Sequence, residues 1–289
     1  MSILLNKDTR VLVQGITGSG GSVQTHWMLD YGTNIVAGVT PGKGGSKVEG
    51  VPVFDSVHEA VKQTGAEMSV FFVPPAFVLD AFFETVAAGI KLIVVVPEHI
   101  PVHDVMAMRD YAKLNDVIAI GPTTPGVLTP GEAKVGIMPA GLFSPGSIGV
   151  ISRSGTLAHE TGAILSSANL GQSTVVGLGA DPVVFTNIEE ILVLFEKDED
   201  TEAVVILGEV GGVQEEQAAK FISRNMSKPV AAYIAGRFAP EGKKMGHAGA
   251  ITSGSKGTAQ SKCEALKAGG VEILDTPIKM LDWAHGHSL

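Results

Sequence analysis

The sequence predicts an α/β protein of two domains, each built around a mostly parallel sheet. Short β-branched runs, apolar on both faces, alternate with helical patterns along the chain, as strands covered by helices should. A proline-punctuated stretch splits this alternation into two series. Glycine is abundant, 36 in 289 residues, and supplies the tight strand–helix corners such folds need.

The first series occupies residues 1–124. Segments 11–14, 35–39, 69–73, 92–96 and 117–120 are rich in Val, Ile, Leu and Phe with few polar breaks, and read as five strands. Helical patterns fall between them at 24–31, 56–64, 77–88 and 103–114. This is the rhythm of a doubly wound sheet. Pro122, Pro125, Pro130, Pro139 and Pro145 then interrupt the chain without a helical pattern, and the boundary is placed at 124/125. In 125–289, strands are expected at 148–151, 174–177, 203–207 and 230–234, and helices at 157–168, 188–196, 214–224 and 258–268. His285-Gly286-His287 reads as a solvated, frayed terminus and not as a metal site.

Composition narrows the function. The chain is 45% hydrophobic and 18% charged, which argues against disorder. A positive mean hydropathy points to apolar surface covered by a partner or to a large core of its own. The net charge of −9 gives no electrostatic support to nucleic-acid or anionic-membrane binding. An anionic ligand must therefore be held by local devices such as helix N-termini. One cysteine, Cys263, excludes an internal disulfide and a CxxC metal site. With no signal-peptide pattern and no apolar stretch of membrane-spanning length, a cytoplasmic location is expected.

Four motifs bear chemistry. The first strand opens into Gln14-Gly15-Ile16-Thr17-Gly18-Ser19-Gly20-Gly21, where a doubly wound sheet binds phosphate. An NAD fingerprint fits poorly, because Val23 stands where a third small residue is needed and no acid ends the second strand. That strand runs into Val39-Thr40-Pro41-Gly42-Lys43-Gly44-Gly45, and its lysine favours a ligand with an extra phosphate. NADP and coenzyme A both qualify. In the second series, Ser152-Arg153-Ser154-Gly155-Thr156-Leu157 joins a strand to a helix whose free N–H groups can hold phosphate, although a simple N-cap by Ser154 fits as well. Glu209 follows an apolar strand and precedes Gly211-Gly212, where a carboxylate can orient an imidazole or serve structure alone. Finally, Lys243-Lys244-Met245-Gly246-His247-Ala248-Gly249-Ala250 sets one imidazole among glycines that let backbone approach an anion. A ring nitrogen there can act as a nucleophile toward phosphorus.

With these motifs together, the chain resembles the α subunit of succinyl-CoA synthetase and related nucleoside-diphosphate-forming acyl-CoA synthetases, from residue 1 to about 275. The resemblance rests on Gly38-Val39-Thr40-Pro41-Gly42-Lys43-Gly44-Gly45, Ser152-Arg153-Ser154-Gly155-Thr156-Leu157 and Gly246-His247-Ala248-Gly249-Ala250. It implies a Rossmann-like CoA-binding domain followed by a flavodoxin-like ligase domain. CoA is then expected at Thr17, Gly18, Ser19, Gly20, Lys43, Val96, Pro97 and Glu98. His247 is expected to carry the phosphoryl group, Glu209 to orient it, and Ser154, Gly155 and Thr156 to form one of two phosphate-holding helix ends. The other helix end, the ATP or GTP site and its Mg²⁺ are assigned by the resemblance to a separate ATP-grasp β subunit. No Walker-type loop occurs here.

Some positions depart from the family pattern. Gly121-Pro122-Thr123-Thr124 replaces Gly-Pro-Asn-Cys, and His159 stands where succinate enzymes have tyrosine. Gly179-Ala180-Asp181-Pro182 replaces Gly-Gly-Asp-Pro, and 183–187 diverge from a small-residue loop. Thr123, Thr124 and His159 are thereby candidate acid-binding residues, and the expected substrate is a more polar dianion than succinate, such as malate or a small sulfonated carboxylate. Drift on an ordinary succinate enzyme is the alternative. From other classes, an NADP-dependent oxidoreductase or a non-catalytic CoA-binding module accounts for the first domain but not for His247.

Overall fold

The computed structural model describes residues 2–239, 246–251 and 257–289. Its first part runs β1 (Val11–Gln14), α1 (Ser19–Asp30), β2 (Ile35–Val39), β3 (Lys47–Val48), β4 (Val51–Phe54), α2 (Val57–Thr64), β5 (Met68–Phe71), α3 (Val78–Ala87), β6 (Leu92–Val95), α4 (Val102–Leu114) and β7 (Ile118–Ile120). These strands form one sheet in the order β3-β4-β2-β1-β5-β6-β7, parallel throughout except for the β3–β4 hairpin. Strand order reverses between β1 and β5, which opens the ligand crevice of a doubly wound sheet at their C-terminal ends. The buried Gln14 amide, which ends β1, donates to Ser69 Oγ at 3.1 Å and Thr85 Oγ1 at 2.5 Å, so the crevice floor has no orphaned amide nitrogen.

The second part runs β8 (Gly126–Thr129), β9 (Ala133–Gly136), β10 (Pro145–Ser152), α5 (Gly155–Ser167), β11 (Gln172–Gly177), α6 (Ile188–Lys197), β12 (Ala203–Glu209), α7 (Gln214–Asn225), β13 (Val230–Ala235), α8 (Ala259–Ala268), β14 (Glu272–Ile273) and α9 (Met280–Gly286). The sheet order is β14-β13-β12-β10-β11-β8-β9, parallel from β14 to β11, with β8 and β9 added antiparallel. Both sheets are thus mostly parallel and interleaved with helices, an α/β fold. One apolar cluster joins them: it contains Val13, Val70, Val94 and Ile120 of the first sheet and Ile151, Val176, Val204 and Ile206 of the second.

Several elements differ from expectation: β3, β4 and β14 were not among the expected strands, and three further regions stand out. Helix α1 begins at Ser19, five residues before 24, and takes Gly20 and Gly21 into its first turn. Gly21 permits this because a Cβ there would lie 2.2 Å from the Gly15 carbonyl oxygen. The β8–β9 hairpin lies inside the proline stretch; Pro125 and Pro130 flank β8 without breaking it. Gly126 faces Gly136 across this hairpin, and a Cβ on Gly126 would sit 1.9 Å from the Val135 oxygen. The C-terminus is not frayed: Met280, Trp283 and Ala284 bury one face of α9, and the His287 ring packs on Trp283. His285 and His287 are exposed beyond that face.

Candidate active site

Two groups of residues gather at the C-terminal ends of the two sheets. In the first sheet, Gly15 (φ 72°) turns the chain out of β1 beneath the Phe72 carbonyl, and Gly18 caps α1. Thr17 Oγ1 donates to Thr40 Oγ1 at 3.2 Å, tying this loop to the one after β2 that carries Lys43. No acidic side chain lies in the first turn of α1, and a Cβ at Gly20 would meet nothing within 4 Å. Open space beside an uncompensated helix N-terminus suits a pyrophosphate. A cavity of about 490 Å³ adjoins it, lined by Gln14, Gly15, Thr40, Pro41, Pro74 and Phe77 among others. Val96, Pro97 and Glu98 follow β6 on the far side of the switch point, where Thr123 N–H donates to the Pro97 carbonyl at 3.1 Å. Pro74 and Phe77 were not singled out in the sequence. The Val73-Pro74-Pro75 break at a strand end was the available signal.

The second group centres on His247. Strands β10 and β12 are neighbours with Ser152 opposite Leu207, so the residues just beyond them, Ser154 and Glu209, emerge side by side. Arg153 N–H donates to the Leu207 carbonyl at 3.0 Å and extends that register by one bond. His247 Nδ1 donates to Glu209 Oε2 at 2.5 Å. The Glu209 side chain is 7% exposed and the His247 ring 40% exposed. The hydrogen bond to Glu209 raises the His247 pKa above its ordinary 6.5, against a burial effect that lowers it. Arg153 lowers it as well, whereas Glu98 of the first domain acts in the same direction as Glu209. With Nδ1 engaged, Nε2 of the neutral ring keeps its lone pair free for attack.

Close backbone packing holds this loop. Gly249 N–H donates to the Ala180 carbonyl at 2.9 Å, and Gly211 (φ 90°) approaches so near that a Cβ there would lie 2.0 Å from the Gly249 oxygen. Lys243, Lys244 and Met245, which precede it, lie outside the described residues. Ser154 does act as the N-cap of α5, its hydroxyl accepting from Leu157 N–H at 3.4 Å. The cap leaves the first-turn N–H groups of Gly155 and Thr156 without intrahelical acceptors, and no acid sits in that turn.

Three residues of this centre were missed in the sequence. Arg153 NH2 lies 3.5 Å from Glu209 Oε1, and Arg153 NH1 lies 3.1 Å from Glu215 Oε1. Lys262, fully buried on α8, pairs with Glu215 Oε2. Burial alone would raise the Glu215 carboxyl, but the charges of Arg153 and Lys262 reverse this and hold it low. Arg153 sat within a quoted motif. Glu215 and Lys262 fall inside the expected helices 214–224 and 258–268 with no motif to mark them, and only the packing of α7 on α8 brings them together.

The candidate acid-binding residues are placed differently. Thr124 Oγ1 donates to the Gly177 carbonyl and accepts from Gly126 N–H at 2.9 Å, so its hydroxyl is used in structure. Thr123 (φ 57°) holds its hydroxyl buried. The His159 ring packs edge-on against Phe143, 6.5 Å between centroids, and burial lowers its pKa. Among the described residues, no hydrogen bond joins any of the three to His247 or Glu209. The departures instead lie along the seam between the sheets. Phe185 stacks on Phe82 at 5.3 Å, its N–H donates to the Gly121 carbonyl at 2.9 Å, and Thr186 Oγ1 donates to the Ala119 carbonyl at 2.7 Å.

Comparison with known proteins gives the family. Residues 6–99 fit the CoA binding domain and residues 151–271 the CoA-ligase family. The chain is 53% identical over 282 residues to the succinate–CoA ligase [ADP-forming] subunit alpha of Aquifex aeolicus, covering 97% of this chain and 92% of that one. This chain belongs to the succinate–CoA ligase α-subunit family. A second member, subunit alpha 2 of Archaeoglobus fulgidus, is 52% identical over 98% of each chain. In fold, the chain superposes on ATP citrate lyase from Methanothrix soehngenii with a TM-score of 0.88 at 24% identity. That match covers 99% of this chain but spans only 51% of the lyase chain. Membership makes the first domain a CoA-binding domain and the whole an acid–CoA ligase component. Among the described residues, no helix is long and apolar enough to cross a membrane.

Proposed function

We propose that this chain, as the α subunit of an acid–CoA ligase, activates a small dicarboxylic acid through phosphorylated His247. The hydrogen bond from His247 Nδ1 to Glu209, 2.5 Å long, carries the reading, because it directs Nε2 outward as the nucleophile. The domains divide at 124/125, between β7 and β8. An ATP-grasp β subunit supplies ATP or GTP with Mg²⁺ and the second helix end facing the phosphate. In the first step, Nε2 attacks the terminal phosphorus and the nucleoside diphosphate leaves. The N-terminus of α5, with Ser154, Gly155 and Thr156, holds the phosphoryl oxygens, while Glu209 balances the charge that forms on the ring. An oxygen of the acid's carboxylate then takes the phosphoryl group, restoring neutral His247 and giving an acyl phosphate. Finally the thiolate of CoA, held at Thr17, Gly18, Ser19, Gly20, Lys43, Val96, Pro97 and Glu98, attacks the acyl carbon and expels phosphate. Each step replaces the expulsion of oxide from a carboxylate with that of a good leaving group. Neither an oxidoreductase nor a passive CoA module requires the imidazole–carboxylate pair.

Succinate is the first acid to test, because the relatives at 50–53% identity bear its name. The buried His159 Nε2, which has no hydrogen-bond partner among the described residues, favours a second reading: an acid with an additional hydroxyl or sulfonate, such as malate or a small sulfonated carboxylate. The experiment charges this chain with ATP, Mg²⁺ and its β partner, measures acid-labile phosphate, and then adds CoA with each acid in turn. Discharge by succinate supports the first acid and discharge by a more polar dianion the second. An unlabelled chain overturns the phosphohistidine reading.

A further inference from the structure

The turn that presents Glu209 is held by charge, not by side-chain packing alone. Glu209, the last residue of β12, leads into Gly211 (φ 90°) and Gly212 (φ 64°), backbone that turns sharply and offers no side chains to fix itself. Glu215, at the start of α7, folds back so that its Oε1 accepts the Glu209 N–H at 3.2 Å. Lys262 Nζ donates to the Glu209 carbonyl at 2.7 Å and the Gly211 carbonyl at 2.6 Å. Arg153 NH1 reaches the same two carbonyls at 3.3 and 2.9 Å. Both cations are also paired to the Glu215 carboxylate, whose side chain is 0% exposed.

We propose that Glu215, with Arg153 and Lys262, is a positioning centre that binds the Glu209 N–H and the Glu209 and Gly211 carbonyls and so aims the Glu209 carboxylate at His247. This rests on the reading of His247 as the phosphoryl acceptor. The three residues touch neither phosphate nor acid in this role; they act through Glu209. Three elements contribute: the β10–α5 junction gives Arg153, α7 gives Glu215, and α8 gives Lys262. Fully buried ions of both signs are a costly way to hold a loop unless each is paired and hydrogen-bonded, and here each is. Two cations set against Glu209 and Glu215 leave the local charge balanced, and Glu216 and Glu98 are the other acids acting on the cluster. Removing either sign of charge unbalances it in a known direction.

The test uses the full-length chain with labelled histidine, the His247 signal being assigned by its loss in His247→Asn. Glu215→Gln leaves an uncompensated cation and disfavours the imidazolium, so the His247 titration midpoint falls. Lys262→Met removes a cation, and the midpoint rises. The double variant Glu215→Gln/Lys262→Met restores the charge balance and brings the midpoint back toward that of the wild type. In the complex with the β partner, phosphorylation should slow about tenfold in Glu215→Gln, while CoA affinity, measured by calorimetry, stays within about twofold. If Glu215→Gln does not fold, Lys262→Met and the charge-balanced double variant decide the matter. Shifts of the same sign in both single variants, no shift in either, or a double variant no closer to wild type than the singles overturns the proposal. The titration is read without any phosphoryl transfer. An unlabelled wild type with opposite shifts therefore removes the phosphohistidine reading and leaves the positioning centre standing.

Discussion

On the proposed reading, the CoA crevice and the His247 centre meet the same problem, holding phosphate in a protein of net charge −9, by different means. The crevice relies on backbone: a glycine turn, a helix N-terminus without acids, and open space at Gly20. Its parts come from short runs of consecutive residues after the ends of β1, β2, β5 and β6. The His247 centre relies on side chains brought from far apart, with Arg153, Glu209, Glu215, His247 and Lys262 meeting in or beside the core. A site that only binds can be open and local. A site that must set the protonation and direction of one nitrogen needs buried, paired charges whose effect water does not screen.

The sharpest way to separate the two regions is to disable one and read the other. His247→Asn is expected to reduce turnover by about 10⁴-fold or more, since the covalent route is lost, with CoA affinity unchanged by calorimetry. A parallel loss of CoA binding would merge the two regions into one cooperative unit. Glu209→Gln keeps the shape and a weaker hydrogen-bond acceptor. Its rate of phosphoryl incorporation should fall about 10²-fold, measured by rapid quench in the complex. On the other side, Gly21→Ala forces a methyl group toward the Gly15 carbonyl. The expected cost is about 1–3 kcal/mol in thermal or denaturant unfolding, with weaker CoA binding and an intact His247–Glu209 hydrogen bond.

The smallest effect is that of pH. His247 titrates above its ordinary 6.5 because Glu209 favours the imidazolium. The folded pKa is raised, so the pair's contribution to stability is complete below about 6.5 and disappears as pH rises through the folded value. Phosphorylation needs the neutral ring and runs the other way, increasing through that same midpoint. A rate profile with its inflection below 6.5 would show that Glu209 does not govern this imidazole.

The comparison also explains what could be read in advance. Motifs made of contiguous residues were legible. Thr17 to Gly20 and Ser154 to Thr156 lie at strand–helix junctions, Lys43 follows β2 and His247 lies in a glycine-rich stretch, so each could be picked out from its neighbours. The start of α1 was misjudged because Gly20 and Gly21 are poor helix formers by propensity. The close approach of Gly21 to the Gly15 carbonyl requires glycine there and so explains one of the two within the helix. The β8–β9 hairpin hid among prolines for a similar reason, its pairing being supplied by β11. Thr124 illustrates the opposite error. It departs from the family pattern beside a functional motif, yet its hydroxyl bridges Gly177 and Gly126. The comparisons with relatives likewise give no support to an acid other than succinate, and the seam packing of Phe185 and Thr186 offers a structural reason for the changed loop.

Alternating apolar runs, glycine corners and the loops after strand ends determined, from sequence alone, the α/β class and the order of most elements, and singled out His247 as the candidate phosphoryl acceptor. These depend on neighbours within a few residues, where periodicity and backbone freedom act. Tertiary structure decided which charged residues lie inside. Glu215 and Lys262 occupy helix positions that resemble surface charges, and nothing within a turn of either reports its partner. Their burial follows from α7 packing on α8 over the end of β12, which brings residues 47 positions apart into contact. A buried ion pair of that kind is a property of the assembled core.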